Sequence, residues 1–335
     1  MAIDKTAAQA ELLHNRLIKR FRHLKKWARR TGTNAFRLYD RDIPEIPLVL
    51  DFYNDAVSGS LYRRPYEKDP REEEIWLLAM KAEASRALDI DENRIFLKER
   101  RRMRDRQSSA GRSGQNHSSV NQYTKMQEQH FYRDIKEGEL TFRVNLSDYL
   151  DTGLFLDARK KRALICSEAT GKSVLNLFAY TCSMSAAAAI GSALSVDSVD
   201  LSKTYLDWGQ INFALNGLDN RENYNFIRSD VFKFLTHATE KKLHWDIVIL
   251  DPPSFSNSKR MNGTLDIKQD YRELIRQCLS LLNPGGKLWF SSNAKGFRLD
   301  SGDFHDYAIK DMGKELEDED FRGKRMPVCY TFAKE

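Results

Sequence analysis

The 335-residue sequence predicts a doubly wound α/β domain over residues 140–335, led by a small α+β domain (34–139) and a basic amphipathic helix (1–33). Three observations carry that prediction. After Leu140, five apolar strand-like runs alternate with helical stretches. Between Asn34 and Arg102, short extended runs surround one helix. Before Gly32, apolar residues recur at the spacing of a single helical face.

The helix comes first. Over residues 6–30, Leu13, Leu17, Phe21, Leu24 and Ala28 share one face, and Gly32 supplies a stop. The first thirty residues hold Lys5, Arg16, Lys19, Arg20, Arg22, Lys25, Lys26, Arg29 and Arg30 against only Asp4 and Glu11. Such a stripe suits either the solvated side of a packed helix or a contact with RNA. The whole chain carries a formal net charge of only +6, so the local excess says more than the total.

The α+β domain follows. "FRLYD" and "PLVLDFY" read as extended runs broken by Pro44 and Pro47. Pro70 opens a second helix that runs to about Leu88, with glutamates in its first turn where the helix dipole favours them. "RIFLKERRR" (94–102) reads as a strand leading into basic residues. Residues near 101–125 are polar, rich in Ser, Gly and Asn, and positively charged, which predicts a disordered basic loop with no core of its own. Two readings fit that loop: it orders on a phosphate backbone, or it is an inert insertion.

Several classes are disfavoured. Cys166, Cys182, Cys278 and Cys329 are far apart and lack a CxxC pair, which argues against a zinc site and a disulfide framework and suits a reducing cytosol. No apolar stretch approaches the ~20 residues that a membrane helix needs, and the N-terminus is too charged for a signal peptide. A soluble cytoplasmic protein that uses no metal is expected.

In the C-terminal domain the strand-like runs are "SVLNLF", "ALSVDSVDL", "YNFIRSD", "DIVILD" and "GKLWFSS". Ligands of doubly wound sheets bind beyond the carboxyl ends of the strands, so those ends carry the functional expectation. The first is followed by "AYTCSMSAAAA", a turn of small residues with neither GxGxxG nor a P-loop lysine. The second ends at Asp200, suited to accept from both hydroxyls of a ribose. The third ends at Asp230, suited to an adenine amino group. The fourth ends at Asp251 in "LDPPSFSNSK". Each acid alone is equally a helix cap or turn residue. Together they describe a site for an adenosine-bearing ligand without phosphates, which is S-adenosylmethionine (SAM).

These segments resemble the class I SAM-dependent methyltransferases. "NLSDYLDTGLFLDAR" (145–159), "VLNLFAYT" (174–181), "VDLSKTYLDW" (199–208), "DPPSFSNSKRM" (251–261) and "FSSNAKGFR" (290–298) are similar to a narrower group, the bacterial 23S ribosomal RNA guanine-N7 methyltransferases. "NRLIKRFRHLKKWARR" and "FRLYDRDIPEIPLVLDFY" fit the leading segment of that group. The resemblance implies a Rossmann-like catalytic domain behind a small RNA-binding domain. SAM is the implied cofactor, and 23S ribosomal RNA or a large-subunit precursor the implied partner.

Carried over by residue, the resemblance puts Phe155, Asp157 and Arg159 beside the methionine part of the cofactor. Asn176, Phe178 and Tyr180 fall in the loop beneath it, Asp200 at the ribose and Asp230 at the adenine, and Ser202 is a further cofactor-binding residue. Asp251, Pro252, Pro253 and Phe255 border the transferred methyl and are the candidate catalytic residues. Lys259, Arg260, Asn293, Lys295 and Arg298 lie in loops expected beside the methyl, where they contact phosphate or the guanine O6 edge, or merely solvate the loop. One departure stands out. The family loop usually has glycine after "YT", where this chain has Cys182, and a side chain there is expected to crowd the approach to SAM.

Guanine N7 has an in-plane lone pair and is unprotonated at neutral pH, so its methylation needs alignment rather than a general base. Asp251 is expected to stabilise the positive charge that passes from sulfur to the imidazole ring. Cytosine C5 chemistry needs a cysteine nucleophile, and neither "DPPSFSNSK" nor "FSSNAKGFR" contains one. Exocyclic amine targets more usually go with Asn-Pro-Pro-aromatic. The competing readings are methylation at guanine N2 or cytosine C5, and a non-catalytic RNA-binding ribosome assembly factor.

Overall fold

The structure, a computed structural model, describes residues 5–62, 66, 69–100, 129–219, 222–256 and 265–333. The basic loop expected near 101–125, and Lys259 and Arg260, lie outside the described residues. The chain divides into two compact units, Met1–Glu139 with Arg143–Leu156, and Leu140–Phe142 with Asp157–Glu335.

In the first unit, helix α1 (Lys5–Thr31) stops before Gly32, whose φ of +69° is left-handed. Its apolar face is buried as the spacing predicts, with Leu13, Leu17 and Leu24 fully inside. A four-stranded sheet is built from β1 (Ala35–Asp40), β2 (Leu48–Tyr53), β3 (Ala56–Tyr62) and β4 (Ile95–Arg100), in that order. Helix α2 (Pro70–Leu88) connects β3 to β4, which lets that pair run parallel. Asp69 caps α2 by accepting from the N–H groups of Arg71 and Glu72. Helix α1, read in sequence as a segment of its own, shares one core with Phe36, Phe52, Trp76 and Met80.

Strand β3 escaped the sequence reading because "AVSGSLY" looks like a loop. Its Gly59 lets two leucines close over the sheet: a Cβ there would lie 2.6 Å from Leu50 of β2 and from Leu97 of β4. Strands β5 (Tyr132–Glu137) and β6 (Leu140–Asn145) form a two-stranded sheet. The boundary expected at 140 coincides with the first residue of β6; the chain returns to the first unit at Arg143, inside that strand, and leaves it finally at Asp157.

The second unit contains, in chain order, α3 (Arg159–Glu168), β7 (Ser173–Leu177), α4 (Ser183–Ile190), β8 (Ser195–Asp200), α5 (Lys203–Leu215), β9 (Tyr224–Arg228), α6 (Val231–Glu240) and β10 (Trp245–Leu250). Then follow β11 (Phe255–Ser256), β12 (Leu265–Asp266), α7 (Ile267–Ser280), β13 (Leu282–Ser292), β14 (Ala308–Asp311) and β15 (Val328–Ala333). Seven strands make one sheet in the order β14-β15-β13-β10-β7-β8-β9. The five predicted strands are all present and parallel. Edge strands β14 and β15 are antiparallel and were not anticipated.

The chain steps outward from β7 to β9 and then jumps back to place β10 against β7. That reversal is the topological switch point, and the crevice it opens lies beyond the carboxyl ends of β7 and β10. Leu175, Leu177, Val248, Leu250, Leu288 and Phe290 form the strand side of the core, met by Phe234 and Leu235 of α6 and by Tyr271, Leu274 and Ile275 of α7. Each such side chain contributes ~1.5–3 kcal/mol on burial. This makes the sheet a rigid base for the loops at its edge. Among the described residues no helix is long and apolar enough to cross a membrane.

Candidate active site

The loop after β7 is strained and pinned. Phe178, Tyr180 and Cys182 have φ of 55°, 51° and 57°, all left-handed, where a side chain costs ~1–3 kcal/mol each. Neighbours hold each turn. Ala179 N–H donates to Val199 O at 3.0 Å, Cys182 N–H to Ala179 O at 2.8 Å, and Asn212 Nδ2 to Thr181 O at 2.9 Å. Phe178 packs against the core, and the Tyr180 ring meets Tyr205 edge-on at 4.5 Å.

Asp200, the last residue of β8, ties this loop to the next. Its Oδ2 accepts from Tyr180 N–H at 2.9 Å and its Oδ1 from Ser202 N–H at 2.8 Å. Ser202 in turn caps α5, its hydroxyl accepting from Tyr205 N–H. Burial raises the Asp200 pKa above that of an ordinary carboxyl, and the backbone hydrogen bonds do not cancel that rise. A half-buried carboxylate whose charge is under-compensated suits two further donors, such as the hydroxyls of a ribose. Asp230 is buried and caps α6 by accepting from Lys233 N–H at 3.2 Å. One oxygen of Asp230 therefore has the cap role that a strand-end acid commonly takes.

Asp251 is paired within the protein. Lys161 of α3 donates to its Oδ2 at 2.7 Å and to Ser291 Oγ of β13, also at 2.7 Å. The Lys161 side chain is only 6% exposed, whereas that of Asp251 keeps 41% of its surface open. Burial pushes the Asp251 pKa up, but the Lys161 charge and hydrogen bond, with Ser291, outweigh it and hold the carboxyl below its usual range. Sequence reasoning missed Lys161 because "DARKKR" reads as a solvated helix start. Nothing in the spacing signals contact with a residue ninety positions on. Beyond Asp251, Pro252 is buried, Pro253 partly so, and Phe255 exposed on the short β11.

Two expected cofactor residues are otherwise engaged. The Arg159 guanidinium is buried against Asp318 at 2.9 Å and Asp320 at 3.0 Å, so its charge is already matched within the protein. Asn176 sits inside β7, not in the loop, with Nδ2 donated to Ser185 Oγ at 2.8 Å. Ser198 donates to the same Ser185 oxygen, and this buried chain fixes α4 to β7 and β8. Phe155 is exposed and belongs to the first unit, Asp157 to the second.

Cys182 does not crowd the loop face. Its side chain is fully buried and Sγ is directed at Gly209 of α5. Asn293, Lys295 and Arg298, which follow β13, are all exposed. No two of them share an element with Asp251; they follow the strand that carries Ser291.

The donor set fits SAM rather than a nucleotide phosphate. Carboxylates end β8 and precede α6; of the three buried cations of α3, Arg159 and Lys161 are committed to carboxylates and Arg162 lies over the Phe142 ring. Among the described residues no three His, Cys, Asp or Glu side chains gather as a metal site.

Comparison with known proteins agrees with this reading. A family model described as S-adenosylmethionine-dependent methyltransferase matches residues 118–303. "Ribosomal RNA large subunit methyltransferase K" of Neisseria meningitidis serogroup B is 41% identical over 318 residues, covering 94% of this chain and 85% of its own. "Ribosomal RNA large subunit methyltransferase K/L" of Pseudomonas entomophila is 41% identical over 312 residues, covering 93% of this chain but only 40% of its own length. A crystal structure of SMU.776 complexed with SAH superposes with a TM-score of 0.71 at 25% identity, over 97% of this chain and 81% of the other. A SAM-dependent methyltransferase from Streptococcus mutans, 24% identical with a TM-score of 0.71, shows the same fold. The switch-point crevice, its ribose-suited carboxylate and a family match over more than half the sequence converge, and the chain belongs to the S-adenosylmethionine-dependent methyltransferases.

Proposed function

We propose that this enzyme methylates N7 of a guanine in 23S ribosomal RNA, either free or within a large-subunit precursor, in the cytoplasm. The observation that carries the substrate class is the 41% identity, over 94% of the chain, to a relative named for the large-subunit ribosomal RNA. The choice of N7 rests on chemistry at the strand end.

When bound, SAM supplies a sulfonium-borne methyl that guanine N7 takes by direct displacement without losing a proton. The protein's task is then to hold the two reactants in line, worth ~7–11 kcal/mol when the alignment is good. Asp200 and Asp230 hold the adenosine part, and the pinned loop from Phe178 to Cys182 supports it. Asp251, Pro252, Pro253 and Phe255 border the transfer point. Asn293, Lys295 and Arg298 contact the target nucleotide and its phosphates. A guanine within an RNA helix must first be extruded, because side chains do not reach N7 in the deep groove.

No histidine occurs between His244 and His305. Burial pushes the thiols of Cys182 and Cys278 far above the ordinary range and that of Cys329 to about 12, so none is poised as the nucleophile of cytosine C5 chemistry. The first unit serves as an RNA clamp. Lys19, Arg22, Lys25, Lys26, Arg29 and Arg30 of α1 are exposed, and none has an ion-pair partner among the described residues.

The test is methylation of 23S ribosomal RNA with labelled SAM, followed by mass-spectrometric mapping. Label on guanine N7 supports the proposal. Label confined to cytosine C5 or to an exocyclic nitrogen overturns it.

A further inference from the structure

We infer that Lys161 is the positioning residue for Asp251: it clamps one carboxylate oxygen between helix α3 and Ser291, so that the open side of the carboxylate stands at the transfer point as a fixed, ionised acceptor. The inference deepens the proposed function, because it assigns a task to the strand-end acid of that same site.

The geometry argues for a clamp rather than a chance surface pair. Lys161 comes from the first turn of α3, Asp251 from the residue after β10, and Ser291 from the neighbouring β13, so three elements meet at one ammonium. Both hydrogen bonds are 2.7 Å long. The ammonium is almost entirely buried, so it is held against a substantial desolvation cost that only close, well-aimed partners offset. Exposed lysines bear no such constraint.

Asp251, by contrast, is partly open. A carboxylate beside a crevice normally samples several rotamers and its ionisation follows its surroundings. Here Lys161 fixes both. It binds Oδ2 and leaves the exposed part of the group to accept from a donor that enters the crevice. The groups around the clamp are Lys161 from α3, Ser291 from β13, Cys329 from β15 and, beyond Cys329, Asp311 from β14. Among these described residues Lys161 is the cation. Removing the Lys161 charge and hydrogen bond removes the main influences that hold the carboxyl low and leaves only Ser291. The carboxyl then takes up a proton at a higher pH.

The experiment compares the wild type with Lys161→Gln and Lys161→Arg in the full chain. The Asp251 carboxyl is followed by carbon NMR over pH in protein labelled at aspartate, with Asp251→Asn to assign the signal. The expected result is a midpoint raised by more than one pH unit in K161Q and restored most of the way in K161R. Methylation of 23S ribosomal RNA by K161Q should fall as pH drops through the raised Asp251 midpoint and recover above it, a decline that the wild type shows only at lower pH. An unmoved Asp251 midpoint in K161Q overturns the inference. So does an activity loss of the same factor at every pH, which marks a merely structural role. Should K161Q fail to fold, Ser291→Ala removes one of the two fixings, and the same upward displacement, smaller in size, is required of it. The NMR reading needs no RNA, so it holds or fails independently of which nucleotide is methylated.

Discussion

The thiol of Cys182 occupies space that Gly209 leaves empty. A Cβ added to Gly209 would come within 2.5 Å of Cys182 Sγ and 2.9 Å of Cys182 Cβ. A side chain in the left-handed turn of the cofactor loop is therefore housed by a gap in the facing helix α5. The expected obstruction of SAM does not arise, because the side chain turns inward.

Gly209→Ala tests this pairing. Alanine favours a helix interior over glycine by ~1 kcal/mol, so in the absence of a clash it would stabilise the protein. Overpacking against Cys182 costs ~1–3 kcal/mol and should dominate, because a neighbouring Cβ cannot rotate away. Urea unfolding should show a net loss of stability, and calorimetry a weaker affinity for SAH. Adding Cys182→Gly to the same protein should restore both. A G209A protein that is more stable than wild type, with unchanged SAH affinity, would show that the two residues are not coupled.

Asp200 should make cofactor affinity depend on pH. Its carboxyl is raised above the usual range by burial, and in the proposed role ribose hydroxyls would donate to the ionised form. Binding is thus full above the raised pKa and weakens as pH falls through it. That decline should begin above ~4, the value of an unperturbed carboxyl. Asp200→Asn should lose ~1.5–3 kcal/mol for each charged hydrogen bond removed, more than tenfold in Kd, and should also lose the pH dependence. Calorimetric titration with SAM between pH 4 and 8 reads both effects. A wild-type Kd that stays flat across that range sinks the assignment of Asp200 to the ribose.

The parts of the site that were legible in sequence are those written locally. Asp200, Asp230 and Asp251 each terminate or follow an apolar run, and the strand-to-ligand rule converts such a position directly into a place at the crevice. Helix α1 was equally plain, since one period of apolar residues specifies a buried face. What escaped was written across distance. Lys161 meets Asp251 and Ser291, and Arg159 meets Asp318 and Asp320, over separations that no spacing rule reaches. Strand β3 escaped for a different reason. Its small residues answer to neighbours on both sides of it in the sheet rather than to a period of their own.

Arg159 provides a sharp contrast between a binding and a structural role. Its guanidinium is buried against Asp318 and Asp320, and the Asp320 side chain is wholly inaccessible. Arg159→Met should strand those carboxylates and cost ~3–5 kcal/mol, seen as a lower urea midpoint. Replacing Asp320 by Leu in the same protein should recover part of that loss, since an apolar pair tolerates burial. SAM affinity of the folded R159M protein should stay within threefold of wild type. A variant of normal stability that no longer binds SAM would instead place this arginine on the methionine carboxylate.

The cations of α1 should appear in the salt dependence of RNA binding. Lys19, Arg22, Lys26 and Arg29 recur every three or four residues, so they line one side of the helix. All are exposed, and alanine at these positions keeps or improves helix propensity. Each cation that neutralises a phosphate contributes ~0.7–0.9 to the slope of log K against log salt concentration. Replacing all four by Ala should therefore flatten that slope by ~3 and weaken binding at low salt by orders of magnitude. SAH affinity, which resides in the other unit, should not move. Titrations of ribosomal RNA fragments at several salt concentrations read the slope directly. If it is the same in the variant and the wild type, the stripe faces solvent in the complex, and the first unit must grip RNA through another surface.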